Sequence, residues 1–574
     1  MAEYTDLSKL TFPPSFFEDE VRDGFYVPEM MKRYWAGHLT VLSEIDRICG
    51  KHNIPYFADY GTLLGAIRHK GFVPWDDDVD IIMLRHDLQR FLEIAPAELP
   101  EGLEVVDIQT QWDTDNTVVA VISDPSRPDH MAQFHGCPYR CNVDIMALDG
   151  CYDSDEEEAA HRNRFREVFE TAAYYVPQDE PLKPGIYTTA QLYPQEAEQA
   201  LRRAEAISGM KADRKKDLLV QVLRMLVRVA REVPDTEAET LDRFFTPRGT
   251  MRYQKKWYEG TALLPFEHTM IPVPAMYMDT IRFMYGDWER IIRGGAEHEY
   301  PSYGDQEAVL KAHLQGNPFR YTFSANDLHA ERAPAPAVRA QQAMALLEKT
   351  RVRAEALLAE GNNEAAVQLL DGAKKLTSML EELSFPLSRT AREVVFIAVR
   401  PAWWDTMEPL YRAMCADENT EVRVICIPWY ERKDDDTTGA MHDDSDQFPQ
   451  DIALTPREAY DIEKQMPDVI VTQFPFDGTN RAIAIDPAYY ASHLRNCTQE
   501  LVYVPCFDPA VPEENDVVSR TSLRSLIEQP AVVFADRVVL PSDAMRQLYI
   551  DIMSEIAGEE TRAVWEEKTE TRAD

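Results

Sequence analysis

Positive charge is what this sequence has least of. Against 99 aspartates and glutamates it sets only 60 lysines and arginines, a formal net charge of −39 over 574 residues. Such a field repels polyanions, so non-specific binding to nucleic acid or to an anionic membrane surface is not expected. Long apolar runs are missing as well. No stretch reaches the roughly 18 apolar residues of a membrane span. The opening MAEYTDLSKLTFPPSFFEDE has neither the basic nor the apolar region of a secretory leader. Cysteine is sparse, eight in all and scattered, which fits reduced thiols in a cytoplasm better than a disulfide framework. Cys137 and Cys141, the one close pair, have no second pair or histidines at matching spacing, which argues against zinc. The expected location is the cytoplasm, with the inner face of the membrane as a second site of action.

What is present is ample for folding. Hydrophobic residues make up 45% of the chain, and the length suggests about two to four domains. Residues 28–49 repeat apolar side chains at helical spacing and predict an amphipathic helix ending near Gly50. IPYFADYGTLLGA reads as strand, glycine turn and helix start, VDIIMLR as a strand, and HDLQRFLEIAP as the helix after it. LEVVDIQ, VVAVIS and CNVDIMALD add β-rich segments, so this part is α+β. From Asp153 to about Leu263 the pattern is mainly helical, and FEHTMIPVPAMYMDTIRFMYGDW reads as a loop and a helix. A proline- and alanine-rich linker leads to two helical segments split by Gly361-Asn362-Asn363, a helical hairpin. Beyond Ala391, EVVFIAVR, EVRVICIPWY, PDVIVTQFPF, ELVYVPCFD and AVVFADRVVLPS are short apolar runs alternating with helical patterns, the mark of a parallel, doubly wound sheet. The expected domains are residues 1–323, 324–388 (linker and helical hairpin) and 389–574.

The chemistry concentrates in YGTLLGAIRHKGFVPWDDDVDIIM, residues 60–83. In a strand, Asp78 and Asp80 project to one face, about 7 Å apart, and can share or flank a hard cation. Without a cation they repel, and a carboxylate at the edge of the apolar VDIIM run is costly. Gly61 and Gly65 frame a helix start, whose free N–H groups suit phosphate, and Arg68, His69 and Lys70 supply cationic donors. A phosphate cradle beside a carboxylate metal site is what phosphoryl transfer requires.

GTLLGAIRHKGFVPWDDDVDIIMLRHD closely resembles the signature of the LicD family, which includes the fukutin-related proteins. NVDIMALDG and FMYGDWERIIRGGAEHEY extend the resemblance over roughly residues 30–305. It implies a nucleotidyltransferase-type fold and transfer of a phospho-alcohol, such as phosphocholine, glycerol phosphate or ribitol phosphate, from a CDP-linked donor to a glycan or polyol-phosphate hydroxyl. By that resemblance Gly61 and Thr62 match the glycine motif, Asp78 and Asp80 the paired metal ligands, and Asp144 the third carboxylate, for Mg²⁺ or Mn²⁺. Asp76 and Asp77 support the turn or reach a second metal through water. Tyr285, Gly286 and Asp287 match a YGD element near the site, and His298 is a candidate phosphate or acceptor contact. A proline-containing stretch expected after that aspartate is absent here.

Residues from about 389 to 560 resemble, less strongly, the Rossmann-like N-terminal half of CDP-glycerol glycerophosphotransferases, enzymes of teichoic-acid synthesis. That resemblance implies an acceptor-binding or docking module without its own donor site. Trp403, Trp404 and Phe476, at strand ends, would stack on a sugar or polyol or else cap the sheet. The leading expectation is thus a metal-dependent LicD-type phosphotransferase releasing CMP, peripheral to membrane-bound glycan assembly. The alternatives are a nucleotidyltransferase using an NTP and a non-catalytic glycan-binding protein.

Overall fold

A computed structural model describes residues 6–106, 119–175, 194–233, 239–241, 252–293, 300–307, 321–328, 332–433 and 437–572. They form two compact units, residues 1–17 with 30–308, and residues 18–29 with 309–574. The short hairpin β1 (Glu20–Arg22) and β2 (Phe25–Val27) therefore belongs with the C-terminal half. It turns through Asp23 and Gly24, both at positive φ (52° and 74°), the geometry that matches strand twist in a two-residue turn.

Helix α1 (Glu29–His52) buries Met31, Trp35, Leu39, Leu42, Ile45 and Ile48 at the expected spacing. It runs three residues past the predicted end. Gly50 has open space around it and does not stop the helix. Asn53 does, at φ 53°, leaving the Ile54 N–H to the Cys49 carbonyl.

The central sheet of the first unit gathers β3 (Phe57–Ala58), β4 (Asp80–Leu84), β5 (Leu103–Val106), β6 (Val119–Ser123) and β7 (Asn142–Gly150). Its order is β3-β4-β7-β6-β5. Strands β4 and β7 are parallel and the other pairs antiparallel. Helix α2 (Tyr60–Arg68) sits between β3 and β4, and α3 (Arg85–Glu98) follows β4. The architecture is mixed α/β, with helices and a mainly antiparallel sheet where an α+β unit is expected. Cys137 and Cys141 are buried free thiols, 3.9 Å apart.

Helices α4 (Asp155–Ala172), α5 (Pro194–Ser208) and α6 (Leu218–Ala230) pack around Phe165, Val168, Leu201, Leu223 and Leu226. The Ser154 hydroxyl and Asp217 carboxylate cap the first and last of these. The helical stretch expected to reach Leu263 ends at Ala230 among the described residues. Beyond it come β8 (Glu239–Leu241), which pairs with β7, and β9 (Tyr253–Gln254), which pairs with β8. The end of the stretch read as helical and the start of the segment read as a loop together form an antiparallel hairpin, β10 (Thr261–Phe266) and β11 (Thr269–Pro274). Pro265, Pro272 and Pro274 hid it, since proline argues against a strand except in an edge ribbon such as this one. Helix α7 (Tyr277–Tyr285) follows.

In the second unit, α8 (Pro336–Ala359) and α9 (Asn363–Leu387) form the expected helical hairpin. Its sheet contains β12 (Arg392–Ala398), β13 (Thr420–Cys426), β16 (Val469–Thr472), β18 (Glu500–Tyr503), β19 (Arg537–Leu540) and β20 (Thr569–Thr571), with β14 (Trp429–Arg432), β15 (Thr438–His442) and β17 (Ile483–Ile485) in a separate antiparallel sheet. The large sheet has the order β13-β12-β16-β18-β19-β20, every pair parallel. Helices α10 (Trp404–Cys415), α11 (Val517–Ile527) and α12 (Asp543–Ala557) lie among the connections. One apolar run was misassigned. AVVF is part of a short helix, Pro530–Phe534, with proline in its first turn, where the missing N–H costs nothing. Trp404 and Phe476 are 1% and 6% exposed, so both cap the sheet as core side chains and neither presents a stacking surface.

A Cβ on Gly65 would lie 2.4 Å from the backbone oxygen of Gly71. Gly65→Ala should therefore destabilise the first unit by about 1–3 kcal/mol. Gly50→Ala, exposed in the last turn of α1, should stabilise it by roughly 0.5–1 kcal/mol. Urea denaturation of both variants measures the pair.

Candidate active site

Pairing of β4 with β7 sets Asp80 directly opposite Asp144. Partners in register share a face of the sheet, so the two carboxylates leave it on the same side. The backbone around them is tied down. The Asp80 N–H donates to the Thr62 hydroxyl at 2.9 Å, the Asp59 N–H to the Asp80 carbonyl at 3.1 Å, and the Asp144 N–H to the Val79 carbonyl at 3.0 Å. The Asn142 side-chain amide donates to Asp144 Oδ1 at 2.9 Å.

Asp80 is the electrostatic centre. Burial first, and then the charges of Asp78, Asp144, Asp76 and Asp59, hold its carboxyl well above the usual range. Asp59 was not foreseen. It ends the approach to α2 with its backbone extended (φ −138°) and its side chain fully buried. The only signal was an acid placed directly after the apolar PYFA. Tyr285, at the end of α7, joins the group: burial and then Asp59, Asp76, Asp80 and Asp78 raise its hydroxyl pKa.

The other predicted residues separate into roles. Asp76 lies against Gly61, where a Cβ would be 2.1 Å from Asp76 Oδ2; close approach of this carboxylate is the local reason for that glycine. Gly65 is buried beneath the returning loop and accepts N–H bonds from His69 and Gly71 at its carbonyl. Asp77, 1% exposed, accepts the Ser302 N–H at 2.6 Å and supports the turn. Arg68 donates through Nε to His69 Nε2 at 2.8 Å and through Nη1 to the carbonyls of Trp288 and Arg290. It ties α2 to the segment around Asp287, which is exposed. Lys70 is exposed at φ 57°, and its carbonyl accepts the Glu267 N–H. His298 lies outside the described residues.

Helix α1 braces the acidic loop from behind. Trp35 Nε1 donates to the Asp76 carbonyl at 2.8 Å, and its ring stacks on Phe72. His38 Nδ1 faces the Asn142 main chain, 2.5 Å from the carbonyl oxygen. Burial lowers its pKa to about 4, so the ring is neutral near pH 7 and adds no cation to the group.

Carboxylates crowded in this way fit a hard divalent cation in donor type and charge. The excess negative charge felt by Asp80 is what such an ion would offset. Among the described residues, no three Asp, Glu, His or Cys side chains already stand together as a ligand set.

A family model described as LicD/FKTN/FKRP, nucleotidyltransferase domain, matches residues 53–156. Residues 53–156 are a LicD-family domain. Lipopolysaccharide cholinephosphotransferase LicD of Haemophilus influenzae is 48% identical over 56 residues, 10% of this chain and 21% of that protein. Uncharacterized proteins of Rickettsia typhi and Rickettsia prowazekii are 41% and 39% identical over 72 and 74 residues, 12% of this chain in each case and 23% and 28% of theirs. The chain thus spans less than a third of the length of these relatives. The LicD-family domain contains all five clustered carboxylates together with Thr62 and Arg68, whereas Tyr285 and Asp287 come from beyond it.

Replacing Thr62 by valine keeps the shape and removes the acceptor for the Asp80 N–H. The buried donor left behind should cost about 1–3 kcal/mol, and Thr62→Ser should restore most of it. Chemical denaturation of the two variants makes the comparison.

Proposed function

We propose that this protein transfers a phospho-alcohol from a CDP-linked donor to a hydroxyl of a cell-surface glycan or teichoic-acid-like polymer precursor, releasing CMP. Phosphocholine is the first candidate group, because the Haemophilus relative is named a lipopolysaccharide cholinephosphotransferase; glycerol phosphate and ribitol phosphate follow. The observation that carries the reading is the register of Asp80 against Asp144 with Asp59, Asp76 and Asp78 around them, on a mixed sheet inside a LicD-family domain. The reaction is placed in the cytoplasm or at its membrane face, where a lipid-linked acceptor would be met.

Asp78, Asp80 and Asp144 would hold Mg²⁺ or Mn²⁺. Such an ion, when bound, neutralises the donor pyrophosphate and lowers the pKa of a nearby hydroxyl. The protein's own groups do the rest. Asp144, at the start of β7 and oriented by Asn142, accepts the proton of the acceptor hydroxyl. That oxygen bonds to the phosphorus distal to the cytidine, the bridging P–O bond breaks, and CMP departs with the electron pair. Lys70 and His69 contact the departing phosphate, with Gly61 and the first turn of α2 beside it. Arg68 holds the Trp288–Arg290 turn in place and adds positive charge. The C-terminal unit contributes no donor site in this scheme.

The test is a donor panel, CDP-choline, CDP-glycerol, CDP-ribitol and CTP, with Mg²⁺. CMP release from one CDP-alcohol is expected. Pyrophosphate release from CTP would identify an NTP-dependent enzyme instead, and absence of nucleotide binding would point to a glycan-binding protein. Asp78→Asn, Asp80→Asn and Asp144→Asn should each lower turnover at least about a thousandfold, roughly 4 kcal/mol of barrier, and EDTA should abolish it. The fold should survive. A carboxyl whose pKa is raised by folding opposes folding when ionised, so Asp80→Asn should leave the melting temperature unchanged or raise it.

A further inference from the structure

In a doubly wound sheet, ligands bind outside the carboxyl ends of the strands, where the strand order reverses. In the C-terminal unit that point lies between β12 and β16. Gln473, just past β16 and fully buried, accepts the Val399 N–H at 3.5 Å and donates to the Trp403 carbonyl at 3.1 Å. Arg400, just past β12, stacks 3.8 Å from the centre of the Trp429 ring. Its two terminal nitrogens donate to the two carboxylate oxygens of Glu18, at 2.5 and 2.9 Å. That fork would serve a phosphate or carboxylate ligand equally well. Here it holds a residue from the start of the chain.

The next residue is held as firmly. Asp19 receives the Asn480 amide at 2.6 Å, the Tyr26 hydroxyl at 2.6 Å and the Glu29 N–H at 3.2 Å. The hairpin β1–β2 then docks by its backbone. The Ala510 N–H donates to the Gly24 carbonyl at 2.9 Å, and the Ser522 hydroxyl on α11 donates to the Tyr26 carbonyl. The Tyr26 ring meets Phe507, which also meets Trp403. Phe25, Tyr26 and Val27 are at most 1% exposed.

We propose that the ligand of the C-terminal sheet is the chain's own segment Glu18–Glu29, a permanent occupant of the switch-point crevice. Two three-residue strands paired only with each other do not hold together alone, so the hairpin depends on these contacts. The reverse also holds. Three buried apolar side chains and two carboxylates already matched to Arg400 and Asn480 leave a small anion nothing to gain by displacing them. The crevice therefore serves as an intramolecular socket, and an exchangeable phosphate or polyol-phosphate ligand is excluded from it.

Hydrogen exchange on the full chain tests this without any variant. Glu29 is the first residue of α1, so its N–H has no partner within the helix, and Asp19 protects it. The Glu29 and Ala510 amides should exchange at least about tenfold more slowly than unstructured amides. Their rates should not change in about 10 mM glycerol 3-phosphate or inorganic phosphate, a concentration that would fill a millimolar site. Unprotected amides, or acceleration by either probe, would overturn the proposal. Glu18→Gln and Arg400→Gln should each speed exchange at Glu29 and Ala510 by about tenfold, and the double variant by little more, because both remove one shared contact. Additive effects, or none, would show that the pair does not hold the hairpin.

Discussion

Mutual repulsion among carboxylates crowded at one end of a sheet is the constraint around which the first unit is built. Asp80 and Asp144 are placed opposite each other by backbone register, and register does not yield to side-chain repulsion without dismantling β4 and β7. The neighbouring acids come from the approach to α2 and from the loop before β4. Several of these residues are tied down: Asp59 through its N–H to the Asp80 carbonyl, Asp76 through its carbonyl to the Trp35 indole, Asp77 through its carboxylate to the Ser302 amide, and Asp80 through its N–H to Thr62. The group is thus held in place where positive charge would be favoured, and the buried, neutral His38 adds none.

The supports explain the glycines differently from a phosphate cradle alone. Gly61 is small because a carboxylate presses on it, and Gly65 because the loop carrying Gly71 folds across the helix. Both serve the same end. They let α2, the returning loop and the start of β4 pack closely enough for the acids to converge. Arg68 likewise reads as a cation in the sequence, yet much of its hydrogen-bonding capacity goes to the turn after α7. It is a tether as well as a charge.

The C-terminal unit shows the same economy with a different outcome. Its parallel sheet has the topology that places a crevice at β12 and β16, and a matched arginine stands there. The acid that answers it comes from some 380 residues earlier in the chain. Domain organisation is therefore not a matter of consecutive segments: the first unit's main helix, α1, begins where a piece of the second unit ends.

The sequence by itself determined the apolar periodicities, and with them α1, β4, α3, β7, the helical hairpin and most strands of the parallel sheet. It also determined the acidic motif, because DDDVD beside an apolar run is a local pattern whose cost is local. Tertiary structure decided what no window contains. Asp59 enters the acidic group only once β3 is laid against β4, and Tyr285 only once α7 has packed near α2. The strands hidden by prolines at 265, 272 and 274 form because a two-stranded ribbon tolerates missing N–H donors. The Glu18–Arg400 pair could not be read at all. A bond between distant residues leaves no periodicity, and a single acid in a chain with 99 of them carries no mark of its partner until the fold brings the two together.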